Sequence, residues 1–323
     1  MHLRPGLVGL AFALVLACGA AQAQPWPNKP IRIIVPYPAG GVLDTLTRAI
    51  GEHARATLGQ PWVIENRVGA SGAIGLQACA AAEPDGYTFC PITAEALSVA
   101  PHADPKLYER YKSLSAVTQF VAAPGVIYAH PSLKPNSLRE AIAYAKEHPG
   151  ELNYSSWGPA TSPHLLFEWL KKTNGLDIVH IPHKGSTDAV SEVVAGRVQL
   201  SYVAVGFIQP QVDAGRLKPL AVIGDVRIPT LPDTPSLGEL GISYPYKGAW
   251  FGMMAPEKTP LELRERIAAA IKQALADPEL NTRFLAPQAY TAVGSAPNEF
   301  ADFIRVEQTR GADIMRVTGI RAE

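Results

Sequence analysis

Short β-branched apolar runs alternate with helical patterns along this chain, and that alternation limits its fold more than any other feature. Residues 31–36 form an apolar run, followed by a glycine turn and a helical pattern over 43–58. The unit repeats with strands at 62–65 and 87–92 around a small-residue helix over 73–82. It resumes with a strand at 126–129, a helix over 137–147 capped by Ser137, a strand at 178–181 and a helix over 187–195. Strands at 200–205 and 217–223 close this half. Such alternation predicts mostly parallel sheet covered on both faces. After residue 244 the texture changes to an apolar run at 250–255 and helices over 260–276, 278–285 and 297–317. Each helix opens on proline or an X-Pro step, which suits a first helical turn. These last helices have no sheet of their own to cover, so the chain is expected to return to its first domain. The predicted fold class is α/β with two lobes, one built from both ends of the chain.

Composition excludes several classes. The formal net charge is +0, so no basic surface is available for nucleic acid. With 47% hydrophobic and 18% charged residues, disorder is excluded as well. Proline accounts for 29 of 323 residues, which fits many short elements joined by stiff turns. His2 and Arg4 precede an apolar run over residues 7–17, and Ala21-Gln22-Ala23 offers small residues for cleavage before Gln24. The run is shorter than the about 20 residues needed to span a bilayer. Residues 1–23 are therefore read as a cleaved signal peptide and the periplasm as the destination, a lipid anchor on Cys18 being disfavoured by Leu16. Beyond the leader lie Cys79 and Cys90, on a predicted helix and the strand after it. Either a disulfide, suited to an oxidising compartment, or two small buried hydrophobes fits them.

Three glycine- or hydroxyl-rich turns precede helices. Pro36-Tyr37-Pro38-Ala39-Gly40-Gly41 leads to a helix with Asp44 in its first turn. A helix start reached through glycines suits a carboxylate or phosphate, although neither a P-loop nor a dinucleotide fingerprint is present. Gly69-Ala70-Ser71-Gly72 is the second turn; Ala73 stands where a nucleophile elbow needs glycine. Ser155 to Ser162 is the third, with either ligand hydroxyls or a plain N-cap at Ser162. His180 and His183 lack zinc-ligand spacing and a third ligand. His164 beside Ser71 or Ser162 would be needed for an exported hydrolase, but no acidic orienter stands out. The chain is not expected to be an enzyme, and no cofactor is implied.

An ordered set of blocks gives a sharper reading. It runs from Trp26-Pro27 through Pro38-Ala39-Gly40-Gly41, Asp44 and Arg48 to Asn66-Arg67 and Pro84-Asp85-Gly86-Tyr87-Thr88. It continues through Asn153-Tyr154-Ser155-Ser156, His164-Leu165, His180-Ile181-Pro182-His183-Lys184-Gly185 and Leu231-Pro232-Asp233-Thr234-Pro235-Ser236. With these blocks the chain resembles the Bug-type periplasmic solute-binding receptors of tripartite tricarboxylate transporters. The resemblance implies a two-lobed type II periplasmic binding protein, a monomer closing by hinge motion on a small carboxylate. Lobe 1 would comprise residues 24–123 and 245–323, and lobe 2 residues 124–244. The implied ligand-binding residues are Tyr37, Ala39, Gly40, Gly41, Asp44, Thr93, Ala94, Ser156, Trp157, Ala160, Thr161, Ser162 and His183. His183 stands where the family usually has Tyr, and Leu43 where a small hydroxyl residue is common. The implied partners are the membrane components of such a transporter or, alternatively, a signalling ectodomain.

Overall fold

The computed structural model describes residues 26–183 and 185–320, so the predicted leader lies outside the described residues. Two sheets organise the chain. The first has the order β11-β4-β10-β3-β1-β2: β1 (Ile31–Val35), β2 (Trp62–Asn66), β3 (Thr88–Thr93), β4 (Leu114–Ala123), β10 (Ala249–Pro256) and β11 (Thr291–Ala292). The second has the order β7-β6-β8-β5-β9: β5 (Gly125–Ala129), β6 (Asn153–Ser156), β7 (Val179–Pro182), β8 (Leu200–Ala204) and β9 (Lys218–Val222).

Pairing in both sheets is mixed, which corrects the expectation of mostly parallel strands. β1 pairs parallel with β2 and β3, and β6 with β7 and β8. In contrast, β10 runs antiparallel between β3 and β4, and β5 runs antiparallel between β8 and β9. The reason lies in the connections. Helical crossovers return the chain to the same edge direction, whereas β10 re-enters the first sheet from the second and arrives from the opposite end. β4 was not foreseen, because Ser115, Thr118 and Gln119 interrupt its apolar pattern; Thr118 and Gln119 are nevertheless buried.

Period-2 alternation sorts the first sheet's side chains onto two faces. Ile31, Ile33 and Val35 pack with Leu46 and Ile50 of α1 (Val42–Leu58) and with Ile267 and Ile271 of the C-terminal helix Leu261–Leu275. Ile34 faces the other way, toward Leu76 of α2 (Ala73–Ala80), Leu97 of α3 (Ala94–Ser98) and Phe300. On this face Cys79 and Cys90 form a disulfide that ties α2 to β3, with their Cα atoms 6.1 Å apart. The second sheet is covered by α4 (Leu138–Glu147) and α5 (Ser162–Asn174) on one face. Its other face carries α6 (Ser186–Val194) and α7 (Val205–Asp213). Ser137 caps α4 by accepting from the Glu140 N–H.

Call the Leu261–Leu275 helix α8 and the last helix α9 (Pro297–Thr318). Between them, the single helix expected over 278–285 is instead a short turn at Pro278–Leu280, a wider turn at Asn281–Leu285 and a tight one at Ala286–Gln288. Pro287 lacks an N–H and cannot donate the bond to the Arg283 carbonyl that a continuing α-helix needs, so the helix does not run on past this point. The passage from β4 to β5 takes one residue, Pro124. The return runs through residues 244–248 into β10.

Candidate functional site

β1 delivers the chain into the first glycine turn. Gly40 adopts φ +78°, where a side chain would be strained, and Gly41 is the extended N-cap of α1. The N–H groups of the first turn of α1 have no partner within the helix and point out of its start. Asp44, 1% exposed, holds this turn in shape. Its carboxylate accepts from the Gly40 N–H, Arg48 Nε and Asn66 Nδ2, each at 2.9 Å, and Asn66 Nδ2 also donates to the Tyr37 carbonyl. Burial pushes the Asp44 pKa up, but the bonds from Arg48, Gly40 and Asn66 outweigh burial and hold it below the usual carboxylate range. Among the predicted site residues, Asp44 is thus placed as a strut behind the turn. Ala39 and Gly40 are exposed and Gly41 is half-buried, whereas Leu43 packs into the core beneath α1.

The second glycine turn supports the first. Tyr37 Oη lies 3.4 Å from the Ser71 carbonyl and 3.3 Å from Thr93 Oγ1, and Gly72 sits against its ring. Burial, with a smaller push from the Glu95 carboxylate, raises the Tyr37 pKa to about 12, against the opposing Thr93 bond. Thr93 is itself the N-cap of α3, so Tyr37, Thr93 and Ala94 form one continuous edge of the first sheet.

The second sheet contributes the third turn, between β6 and α5. Ser156 is fully buried; its Oγ accepts from the Gly158 N–H at 3.0 Å and is bonded to His180 Nε2 at 2.6 Å. Thr161 Oγ1 donates to the Gly158 carbonyl at 2.6 Å, and the Ala160 N–H, at φ +56°, donates to His164 Nδ1 at 3.1 Å. The N-cap of α5 is Thr161, one residue earlier than the cap foreseen at Ser162. That shift puts Ser162 in the first turn, where its Oγ donates to the Glu95 carboxylate of the first sheet's α3. Trp157 is half-buried against the second sheet's cores. His183 donates its N–H to the Ser156 carbonyl at 2.8 Å, and its Nε2 is buried without a hydrogen-bond partner among the described residues.

Glu95 and Ser162 meet in a narrow pocket between the two sheets, walled by Tyr202, Tyr244 and Tyr246 and floored by Ala94 and the Gly248-Ala249 turn. The four side chains Glu95, Tyr202, Tyr244 and Tyr246 were missed by sequence reasoning. Glu95 follows directly on the predicted Thr93-Ala94 segment, and the two later tyrosines lie in the predicted return crossing. Only the insertion of β10 beside β3 brings them together.

Hydrolytic chemistry finds little support in this geometry. His164 Nδ1 accepts a backbone N–H, its ring stacks on His180 at 4.2 Å, and Ser162 turns to Glu95 instead. Two serine–histidine pairs are bonded among the described residues: His130 with Ser132, two residues apart on the surface, and Ser156 with His180 in the third turn. In the Ser156–His180 pair the hydroxyl is buried, and burial with the nearby His164 lowers the His180 pKa to about 4.

Two mixed sheets with helix starts at the ends of their parallel strands, and a pocket between the sheets, define a two-lobed binding-protein architecture. Solved structures agree. Periplasmic binding protein BugD matches with a TM-score of 0.79 and 28% identity, over 92% of this chain and 100% of that one. A protein of R. palustris solved with adipate gives 0.82 and 28%, over 92% and 100%. MatC from Rhodopseudomonas palustris, with bound malate, gives 0.76 and 27%, over 90% and 99%. In sequence, protein BugT of Bordetella pertussis is 32% identical over 317 residues, covering 98% of this chain and 97% of that protein. The family model for the tripartite tricarboxylate transporter family receptor matches residues 46–320. The chain belongs to that receptor family, whose members are solute-binding proteins.

Proposed function

We propose that this receptor captures a small carboxylate between lobe 1, residues 24–123 and 245–323, and lobe 2, residues 124–244. It acts in the periplasm after removal of the 1–23 leader and hands its ligand to the membrane components of a tripartite transporter. The observation carrying this reading is the pair of long-helix starts, α1 behind Gly40-Gly41 on the first sheet and α5 behind Thr161 on the second, with Ser162 of α5 in the pocket between the sheets. Each presents unpaired N–H groups and a partial positive charge suited to a carboxylate. Tyr37, Thr93 and Ala94 form the edge between them. Ala39, Ala160, Ser162 and His183 add lining, while Asp44, Ser156 and Trp157 fix the turns. The adipate and malate bound by relatives support the same ligand class. The protein binds without chemical turnover: beside the proposed cleft the Ser156 hydroxyl is buried against His180, His164 accepts a backbone N–H and Ser162 turns to Glu95.

Calorimetry and thermal unfolding with a panel of mono- and dicarboxylates test the reading. One ligand per chain is expected, and a ligand at 100 times its Kd adds about 2.7 kcal/mol of stability. Binding of a sugar or a metal cation, with no acid bound, overturns it.

A further inference from the structure

Glu95 is an anion placed where a receptor for anions should not want one. Its carboxylate lies in the inter-sheet pocket and accepts from Ser162 Oγ. Among the described residues no lysine, arginine or histidine pairs with it, whereas Asp44, Glu65 and Glu192 each sit against a guanidinium. Its surroundings are phenol rings. Tyr202, Tyr244 and Tyr246 are each less than a tenth exposed and wall the same pocket, and Tyr37 stands on the near side through Thr93. The charge on Glu95 is felt at all four hydroxyls: burial raises the pKa of each first, and Glu95 adds to the rise. A half-buried carboxylate with one hydroxyl donor lacks charge compensation, and aromatic faces attract cations.

We propose that the ligand is zwitterionic: an aminocarboxylate whose carboxylate meets the helix starts and whose ammonium group is taken by Glu95 within the tyrosine walls. The assignment rests on the carboxylate-receptor reading above and narrows it. A simple carboxylate at the same depth would be repelled by Glu95, so the residue discriminates between acids that differ by one ammonium group. Ser162 holds the Glu95 carboxylate from the opposite sheet and orients it toward the pocket. The ligand thus couples the two sheets through charges of opposite sign, one at each end.

Matched pairs test this by titration calorimetry on the mature protein: glutamate against glutarate, aspartate against succinate, and 4-aminobutyrate against butyrate. In the pair that binds, the ammonium-bearing member should be tighter by about 30-fold, the lower end of what a buried charge pair lends a complex. Glu95→Gln should weaken that member by a similar factor and leave its deaminated partner unchanged or tighter. Glu95→Ser, a second neutral variant, should behave alike if Gln perturbs folding, with thermal unfolding as the control. Equal affinity within the pair, or equal loss of both members in Glu95→Gln, overturns the zwitterion assignment while leaving carboxylate capture standing. Binding of no acid in any pair overturns both.

Discussion

At the scale of single residues, the turns before α1 and α5 depend on the side chains packed behind them. Asp44, Asn66 and Arg48 shape the Gly40-Gly41 turn, and Ser156 with Thr161 shapes the turn before α5. A Cβ on Gly41 would meet the Pro38 carbonyl at 3.2 Å at an ordinary φ of −73°, so the chain can accommodate it with a small shift. Gly41→Val should therefore fold, with stability within about 1 kcal/mol, yet lose at least tenfold in ligand affinity because the side chain covers the helix start. Unchanged affinity in the folded variant removes this turn from the site. A second residue-level effect concerns acid. The His164 and His180 rings stack, and burial first, then the neighbouring imidazole, lowers the His180 pKa from 6.5 to about 4. The unfolded chain thus binds more protons than the folded one between about pH 6.5 and 4, so stability falls as pH drops through that window and levels off below it. Denaturation midpoints across this range should show the decline, and His180→Asn should flatten it. An unaltered slope in the variant would assign the decline to other groups.

At the scale of elements, α9 is the clearest case of packing overriding propensity. It runs from the first sheet's core, through Phe300 and Ile304, to the second sheet's core, through Ile314 and Met315. Where it crosses α3 the residue is Gly311, and a Cβ there would stand 1.8 Å from the Ser98 carbonyl. Inside a free helix, Gly→Ala gains about 1 kcal/mol. Here the new atom meets backbone that cannot rotate away, and overpacking of that kind costs about 1–3 kcal/mol or more. Gly311→Ala should therefore destabilise, read as a lower urea midpoint with an unchanged m-value. A raised midpoint would mean that α3 and α9 separate more easily than their contact implies. The same helix bears Glu307, 2% exposed, which accepts from Trp250 Nε1 at 3.0 Å and pairs with Arg310, fixing α9 to β10.

At the scale of the whole molecule, two crossings, α9 and the close packing of Gly206 in α7 on Gln288 join the two halves. Pro124 is the single residue between β4 and β5, and Gly248, at φ +128°, precedes β10. We infer that closure rotates about these points, with α9 limiting its extent by packing on both cores. Ligand contacts on both sides favour the closed arrangement only by their difference in affinity between the two states. Small-angle scattering should show a smaller radius of gyration at verified saturation with ligand than without it. An unchanged value would mean a rigid pocket.

Local chemistry made much of this legible in the sequence. Ile31 to Val35, Ser137 before α4 and the glycines before α1 declare themselves through alternation, a capping hydroxyl and the need for positive φ. The two-lobed class and the receptor family were legible for the same reason, since ordered turn motifs mark fixed places in the fold. What stayed hidden depends on contacts between residues far apart in the chain. The antiparallel entry of β10, the buried polar strand β4 and the break after Pro278 follow from how the chain returns to its first sheet. The pairing of Cys79 with Cys90 required a Cα separation that no spacing supplies. Glu95 carries no signal of its own in the sequence. Only the docking of the two sheets, which brings Ser162 to it from 67 residues along the chain, encloses it among tyrosines.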